Sequence, residues 1–202
     1  MYRYKFLTIL FVTTTLSLGV VQSAEAAKMT RERAFINSAE ANFLTNTGCE
    51  DVSVGVSVIE KNSVVNHTKL PLSRTLLVFG AFIDNCEFGT STSFFGTTTV
   101  INNEFVQNGV DSATLVKTFV VDGHEIYIDL SWKGVGIIGG EDLKINDKGD
   151  VHIIKKWDVE SRNAEMTGVF IVNGLNRISD NSLVNAQLEV VKTDSKTMIK
   201  IK

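Results

Sequence analysis

The sequence predicts an all-β protein, a single-domain antiparallel β-sandwich or barrel-like fold. Three observations predict it. Apolar and polar residues alternate with period two in run after run, as in "HEIYIDLSW" at 124–132. Turn signals separate the runs: Asn108-Gly109, Asp122-Gly123, Asp147-Lys148-Gly149 and Asn173-Gly174. The runs are short and regularly spaced, and only one proline interrupts 202 residues.

In chain order, the first element is not part of the fold. Arg3 and Lys5 precede an uncharged, apolar and threonine-rich run at 6–21, and Ala24-Glu25-Ala26 is an A-x-A cleavage site. Residues 1–26 therefore read as a secretory signal peptide. The apolar run is short for the ~20 residues of a membrane helix, which argues against an uncleaved anchor. Cleavage leaves one β-rich secreted domain, 27–202, and shifts the net charge from −3 to −4 through loss of Arg3, Lys5 and Glu25. A mildly acidic chain lacks the basic footprint of a nucleic-acid binder.

A strand is expected at 34–45, where Ala39, Ala41 and Phe43 alternate; good helix formers at 30–42 make a helix the competing reading. Next come two runs that each carry one cysteine, "TGCEDVSVGVSVIEKN" and "RTLLVFGAFIDNC". Joined as an antiparallel hairpin around a polar loop at 60–73, with Cys49 opposite Cys86, they place Val52, Val54, Val56 and Val58 against Ile83, Ala81, Phe79 and Leu77. All eight share one face, while Asp51 meets Asp84 on the other. A Cys49–Cys86 disulfide suits an exported chain. A thiol nucleophile or metal site is disfavoured, because no CxxC or histidine cluster accompanies the pair.

Further strands are expected at 91–95 and 104–107. The strongest hairpin joins 112–121 to 124–132 through Asp122-Gly123, with Phe119 opposite Ile126, Leu115 opposite Leu130 and Ala113 opposite Trp132. Lys117 then falls on the apolar face opposite Ile128, which requires a snorkelling side chain or a bulge. The remaining strands are expected at 150–159, 163–172, 183–192 and 197–201.

Sites of chemistry are scarce. His67, His124 and His152 show no metal-ligand spacing, and no motif demands a metal or a cofactor. His124 and Asp129 project to opposite faces of one strand, which argues against a nucleophile relay. No spacing selects a glycosidase pair from Asp84, Glu87, Asp129, Glu141 and Asp142. "NDKGD" at 146–150 lacks the acidic alternation of a calcium loop and reads as a turn. Trp132 lies on the apolar face and reads as core. Trp157, among charges, is the candidate exposed aromatic for ligand binding. Asn66-His67-Thr68 is a glycosylation sequon, relevant only in a eukaryotic host.

The segments "AEANFLTNTGCEDVSVGVSVIEKN", "LLVFGAFIDNCEFGTS", "VDSATLVKTFVV", "IDLSWKGVG" and "SRNAEMTGVFIV" occur in an order that resembles an uncharacterised family of small secreted bacterial all-β proteins. That family's pattern is GC-x-x-x-S-V, then S-A-T-L, V-D-L-x-W-x-G-x-G and R-x-A-E-x-x-G. The resemblance covers about 39–172; residues 135–138 and 173–202 depart from it. It implies secretion and a β-fold, supplies no activity, and puts Trp132, Arg162 and Glu165 at recurrent positions.

The expected role is a non-catalytic extracellular or cell-surface binding domain, periplasmic in a Gram-negative host. Its expected partner is a glycan, a cell-wall component or a protein, with no nucleic acid and no stable membrane anchor after cleavage. The alternatives are a secreted hydrolase and a membrane-active β-protein, the latter with "STSFFGTTTVINNEFV" as its inserting segment.

Overall fold

The computed structural model describes residues 29–46, 48–86, 90–149, 151–179 and 182–199. The signal peptide expected at 1–26 lies outside the described residues. Twelve strands and no helix occur among them: β1 (Met29–Asn46), β2 (Glu50–Val65), β3 (Thr68–Lys69), β4 (Ser73–Asp84), β5 (Thr90–Thr99), β6 (Phe105–Asn108), β7 (Ser112–Val121), β8 (His124–Gly134), β9 (Gly139–Lys148), β10 (Val151–Val172), β11 (Leu175–Asn176) and β12 (Leu183–Ile199).

The strands form one antiparallel sheet in the order β5-β4-β2-β1-β12-β10-β8-β7-β6. The sheet curls on itself as a half-barrel, so the expected all-β fold is observed. The curl turns on β10. Residues 151–163 of this strand pair with β12, whereas 164–172 pair with β8. Strand β9 takes the vacated side of β10 along 152–161. One continuous strand therefore belongs to both layers and makes their corner. Side chains close the layers: Trp132 Nε1 donates to the Glu40 carbonyl at 2.9 Å, and Gln107 Nε2 to the Ser38 and Glu189 carbonyls at 3.2 Å each.

The core lies between the layers and follows strand parity. Ala39, Ala41 and Phe43 of β1, Val52 to Val58 at alternate positions of β2, and Ile126 to Trp132 at alternate positions of β8 all point inward and are buried. Burying this much branched aliphatic surface is the main stabilising term, at roughly 1.5–3 kcal/mol per large side chain. The strand at β1 overrides the helix formers of 30–42 because only the alternating conformation buries Ala39, Ala41 and Phe43 together.

The β7–β8 hairpin has the expected register throughout, around an Asp122-Gly123 turn with both residues at positive φ (50° and 80°). Lys117 sits opposite Ile128 without a bulge, because Glu104 meets its ammonium at 2.8 Å. Burial raises the Glu104 carboxyl, but the Ile101 backbone N–H and the Lys117 ammonium outweigh it and hold it below the usual carboxylate range.

Four expectations are corrected. The β2–β4 register is shifted by one: Val52, Val54, Val56 and Val58 face Phe82, Gly80, Val78 and Leu76. Ile83 and Phe79 lie on the other, partly exposed face, and Glu50 rather than Asp51 is opposite Asp84. The disulfide does not set the register, because both cysteines lie past the last ladder pair, with Cys86 in the turn that follows β4. The loop expected at 60–73 is largely β-structure: β2 runs to Val65, turns through Asn66 and His67 at positive φ, and returns as β3. The separate strands at 150–159 and 163–172 are one strand, as are 183–192 and 197–201 up to Ile199. Strand β9 was not expected. All ten of its residues are exposed, so no buried face imposes an alternation.

Candidate functional site

The cysteines form the expected disulfide, with Sγ–Sγ at 2.06 Å and Cα–Cα at 5.0 Å. Beside it opens a cavity of about 210 Å3 lined by Glu50, Phe82, Asp84, Thr90, Thr92, His124, Val172, Asn173 and Arg177. Four separate parts of the chain meet here: the disulfide end of the β2–β4 hairpin, the start of β5, the start of β8, and the connection after β10.

Arg177 is placed by a tight return. Asn173 and Gly174 take positive φ (49° and 81°), so β11 folds straight back on β10. Asn176 Oδ1 accepts the Phe170 N–H at 3.2 Å, and the Arg177 N–H donates to the Phe170 carbonyl at 2.8 Å. The guanidinium is thereby held over the Phe82 ring, 4.6 Å from its centroid, while Nη1 donates to Glu50 Oε1 at 2.7 Å. Its Nε is buried and has no hydrogen-bond partner among the described residues.

His124 is oriented by the same return. Asn173 Oδ1 accepts the Glu125 N–H at 2.9 Å, which turns Asn173 Nδ2 toward His124 Nδ1 at 3.0 Å. With Nδ1 accepting, the neutral ring carries its proton on Nε2. The Phe94 ring packs 5.6 Å from the imidazole. Asp84 Oδ1 accepts the Cys86 N–H at 2.8 Å, which ties the cavity wall to the disulfide turn. The cavity thus offers guanidinium and imidazole donors, two carboxylates, two threonine hydroxyls and an aromatic floor.

The other residues expected to carry chemistry are scattered. Trp157 is half-buried on the opposite side of the sheet from the core, in a row with Leu143 and Thr193, and takes no part in the cavity. Trp132 is core, 2% exposed. His152 Nε2 lies 2.8 Å from Asn146 Oδ1, and Asp147 Oδ1 accepts the Gly149 N–H at 3.1 Å, so the oxygens of that turn bond locally. Glu141 and Asp142 are exposed on β9, Asp129 is exposed on β8 beside Tyr127, and Glu87 and Asp150 lie outside the described residues. Among the described residues no three metal-ligating side chains cluster. Glu50, Asn173 and Arg177 were not singled out from the sequence; the only local signal was the Asn173-Gly174 turn.

A second, wider cleft of about 640 Å3 lies between 71–75 and 99–103. Its Arg74 is engaged on both sides, by Glu60 at 2.5 Å and by Asn102.

No protein-family model matches the chain, and no curated protein matches it. Among solved structures, a protein described as AttH from Nitrosomonas europaea aligns with 83% of this chain at 8% identity and a TM-score of 0.33. This chain spans about half, 52%, of that protein's length. An acetoacetate decarboxylase-like enzyme from Sphingomonas wittichii RW1 aligns at 6% identity and a TM-score of 0.28, over 86% of this chain and 93% of its own. The transport unit of the autotransporter AIDA-I from Escherichia coli gives 11% identity and a TM-score of 0.13, over 91% and 94%. Likenesses at these scores carry no argument about activity.

Proposed function

We propose that this chain is an exported, non-catalytic β-domain that binds the terminal sugar of an extracellular glycan in the cavity beside the disulfide. The observation that carries the reading is Arg177, held at the cavity wall by Glu50 and Phe82 beside His124 and the hydroxyls of Thr90 and Thr92. The cavity is smaller than the ~300–1,000 Å3 of sites for drug-sized ligands, so it suits one terminal unit of a larger molecule. Sugar hydroxyls both donate and accept, which matches carboxylates set beside guanidinium and imidazole donors. The apolar face of a ring matches Phe82 and Val172. Export is supported by the disulfide, which persists in oxidising compartments.

A hydrolase is the second reading, favoured by Glu50 standing opposite Asp84 in a cavity that also holds His124. Against it, Glu50 is committed to Arg177, and one Asp84 oxygen to the Cys86 N–H.

The test is titration with neutral methyl hexosides, followed through the His124 ring signals by NMR. Saturable shifts that disappear in Arg177→Ala are expected, with a lesser loss in Arg177→Lys, which keeps the charge but not the fork. Absence of shifts across the sugar panel overturns the reading. Glycoside turnover in the same samples moves it to hydrolysis.

A further inference from the structure

At the end of the sheet remote from the cavity, β1, β2, β9, β10 and β12 run on past the second layer as a single layer. Their registers assign every side chain there to one face or the other. Three rows near the tip are decisive on the face continuous with the core. Along β9, β10, β12 and β1, the first holds Lys144, Lys156, Asp194 and Arg33; the second Asn146, Ile154, Lys196 and Arg31; the third Lys148, His152, Met198 and Met29. That is six cations and a histidine against one acid. The same rows on the opposite face hold Lys155 against Glu32 and Asp147, among Leu143, Ile145, Ile153 and Trp157.

The whole chain carries −3, so alternation has sorted a net positive charge of about five onto one side of the tip. The patch is open: the Arg33 side chain is 61% exposed and that of Arg31 45%. Asp194 holds both arginines, whereas Lys144, Lys148 and Lys196 form no ion pair among the described residues. Rows lie about 6.6–6.8 Å apart and strands about 4.8 Å apart, so neighbouring cations sit at spacings a phosphate chain can bridge.

We propose that this basic inner face docks an extended phosphate polymer, independently of the sugar cavity. Curvature selects the partner. The cationic side is the inner, concave side of a curled sheet, which a flexible anionic thread can enter and a flat bilayer cannot follow. Released counterions supply the affinity, and binding weakens with salt accordingly.

The experiment uses the exported full chain and long-chain inorganic polyphosphate, with the apparent Kd measured by anisotropy from 50 to 200 mM salt. With about five contacts at roughly −0.7 each, a log–log slope of about −3.5 is expected, or a hundredfold loss of affinity across that range. The triple variant Lys144→Ala, Lys156→Ala, Lys196→Ala should flatten the loss to less than about tenfold. Lys133→Ala, on β8 away from the patch, should leave it unchanged. All three positions are surface-exposed or half-buried, so the melting temperature of each variant confirms that the fold is retained. Salt-independent retention, or a triple variant that binds as the parent does, overturns the proposal. Retention on phosphatidylglycerol vesicles with none on polyphosphate overturns it in favour of a membrane surface. Sugar binding at Arg177 is read separately and stands or falls on its own.

Discussion

A Cβ on Gly168 would sit 2.0 Å from the carbonyl oxygen of Asp129 on the neighbouring strand, and the φ of +136° is itself rare for a residue with a side chain. Gly168→Ala is expected to cost about 3 kcal/mol or more, because the backbone it meets cannot rotate away; a urea titration measures it. Two carboxyls act in opposite directions on pH dependence. Burial pushes the Glu189 carboxyl above its ordinary range, and the nearby Glu40 adds to the push. The folded chain therefore holds this proton more tightly than the unfolded chain does. The stability it contributes is complete at low pH and is lost as pH rises through the window just above the ordinary glutamate value. Glu189→Gln should raise the melting temperature at pH 7 and leave it nearly unchanged at pH 4, by calorimetry. The Arg31 hydrogen bond holds the Asp194 carboxyl below its usual range. Its contribution is present above the ordinary aspartate value and fades as pH falls through the lowered one.

The β2–β4 hairpin shows what a strand discloses about its partner and what it conceals. In "TLLVFGAFI" apolar residues occupy both parities, so two registers a single residue apart each build an apolar face. Glycine chooses between them. Phe79 lies across Gly55 on one side and Phe94 across Gly80 on the other, where any side chain would collide with the ring. In "SATLVKTFVVDGHEIYIDLSW" a two-residue turn fixes the register by itself, and every expected pair forms. The polar stretch "ESRNAE" reads as a break, yet it is the corner of β10, where a strand leaving one layer for the other needs little apolar surface. The disulfide closes a 37-residue span at the open end of the β2–β4 hairpin. Replacing Cys49 and Cys86 by serine should cost about 3–4 kcal/mol by the loss of that closure. Denaturant midpoints of the oxidised parent and the variant provide the comparison.

At the scale of the molecule, the candidate site was illegible for a topological reason. Glu50, Asp84, His124 and Arg177 are far apart in the chain and meet only when the curl brings the β2–β4 hairpin against the start of β8. The basic face was hidden in another way: each cation looks unremarkable in its own strand, and only the aligned registers of four strands line them up. The same topology makes β12 indispensable, since it separates β1 from β10 in the middle of the sheet. A chain ending at residue 182 should lose its sharp thermal transition, because Ala39 and Ala41 of β1 would lose their cover. Circular dichroism would detect a broad, weak melt in place of a cooperative one.

The ladder between the first described strand and the last, from Met29–Met198 to Phe43–Leu183, also dictates a timetable. The disulfide-linked hairpin can zip early from nearby sequence. The strand beside it must wait with one edge bare until the final strand reaches it. Closure over so long a span belongs to the millisecond-to-second regime of non-local β-proteins. During that wait the bare edge can recruit a strand from another molecule, so refolding yield should fall as protein concentration rises.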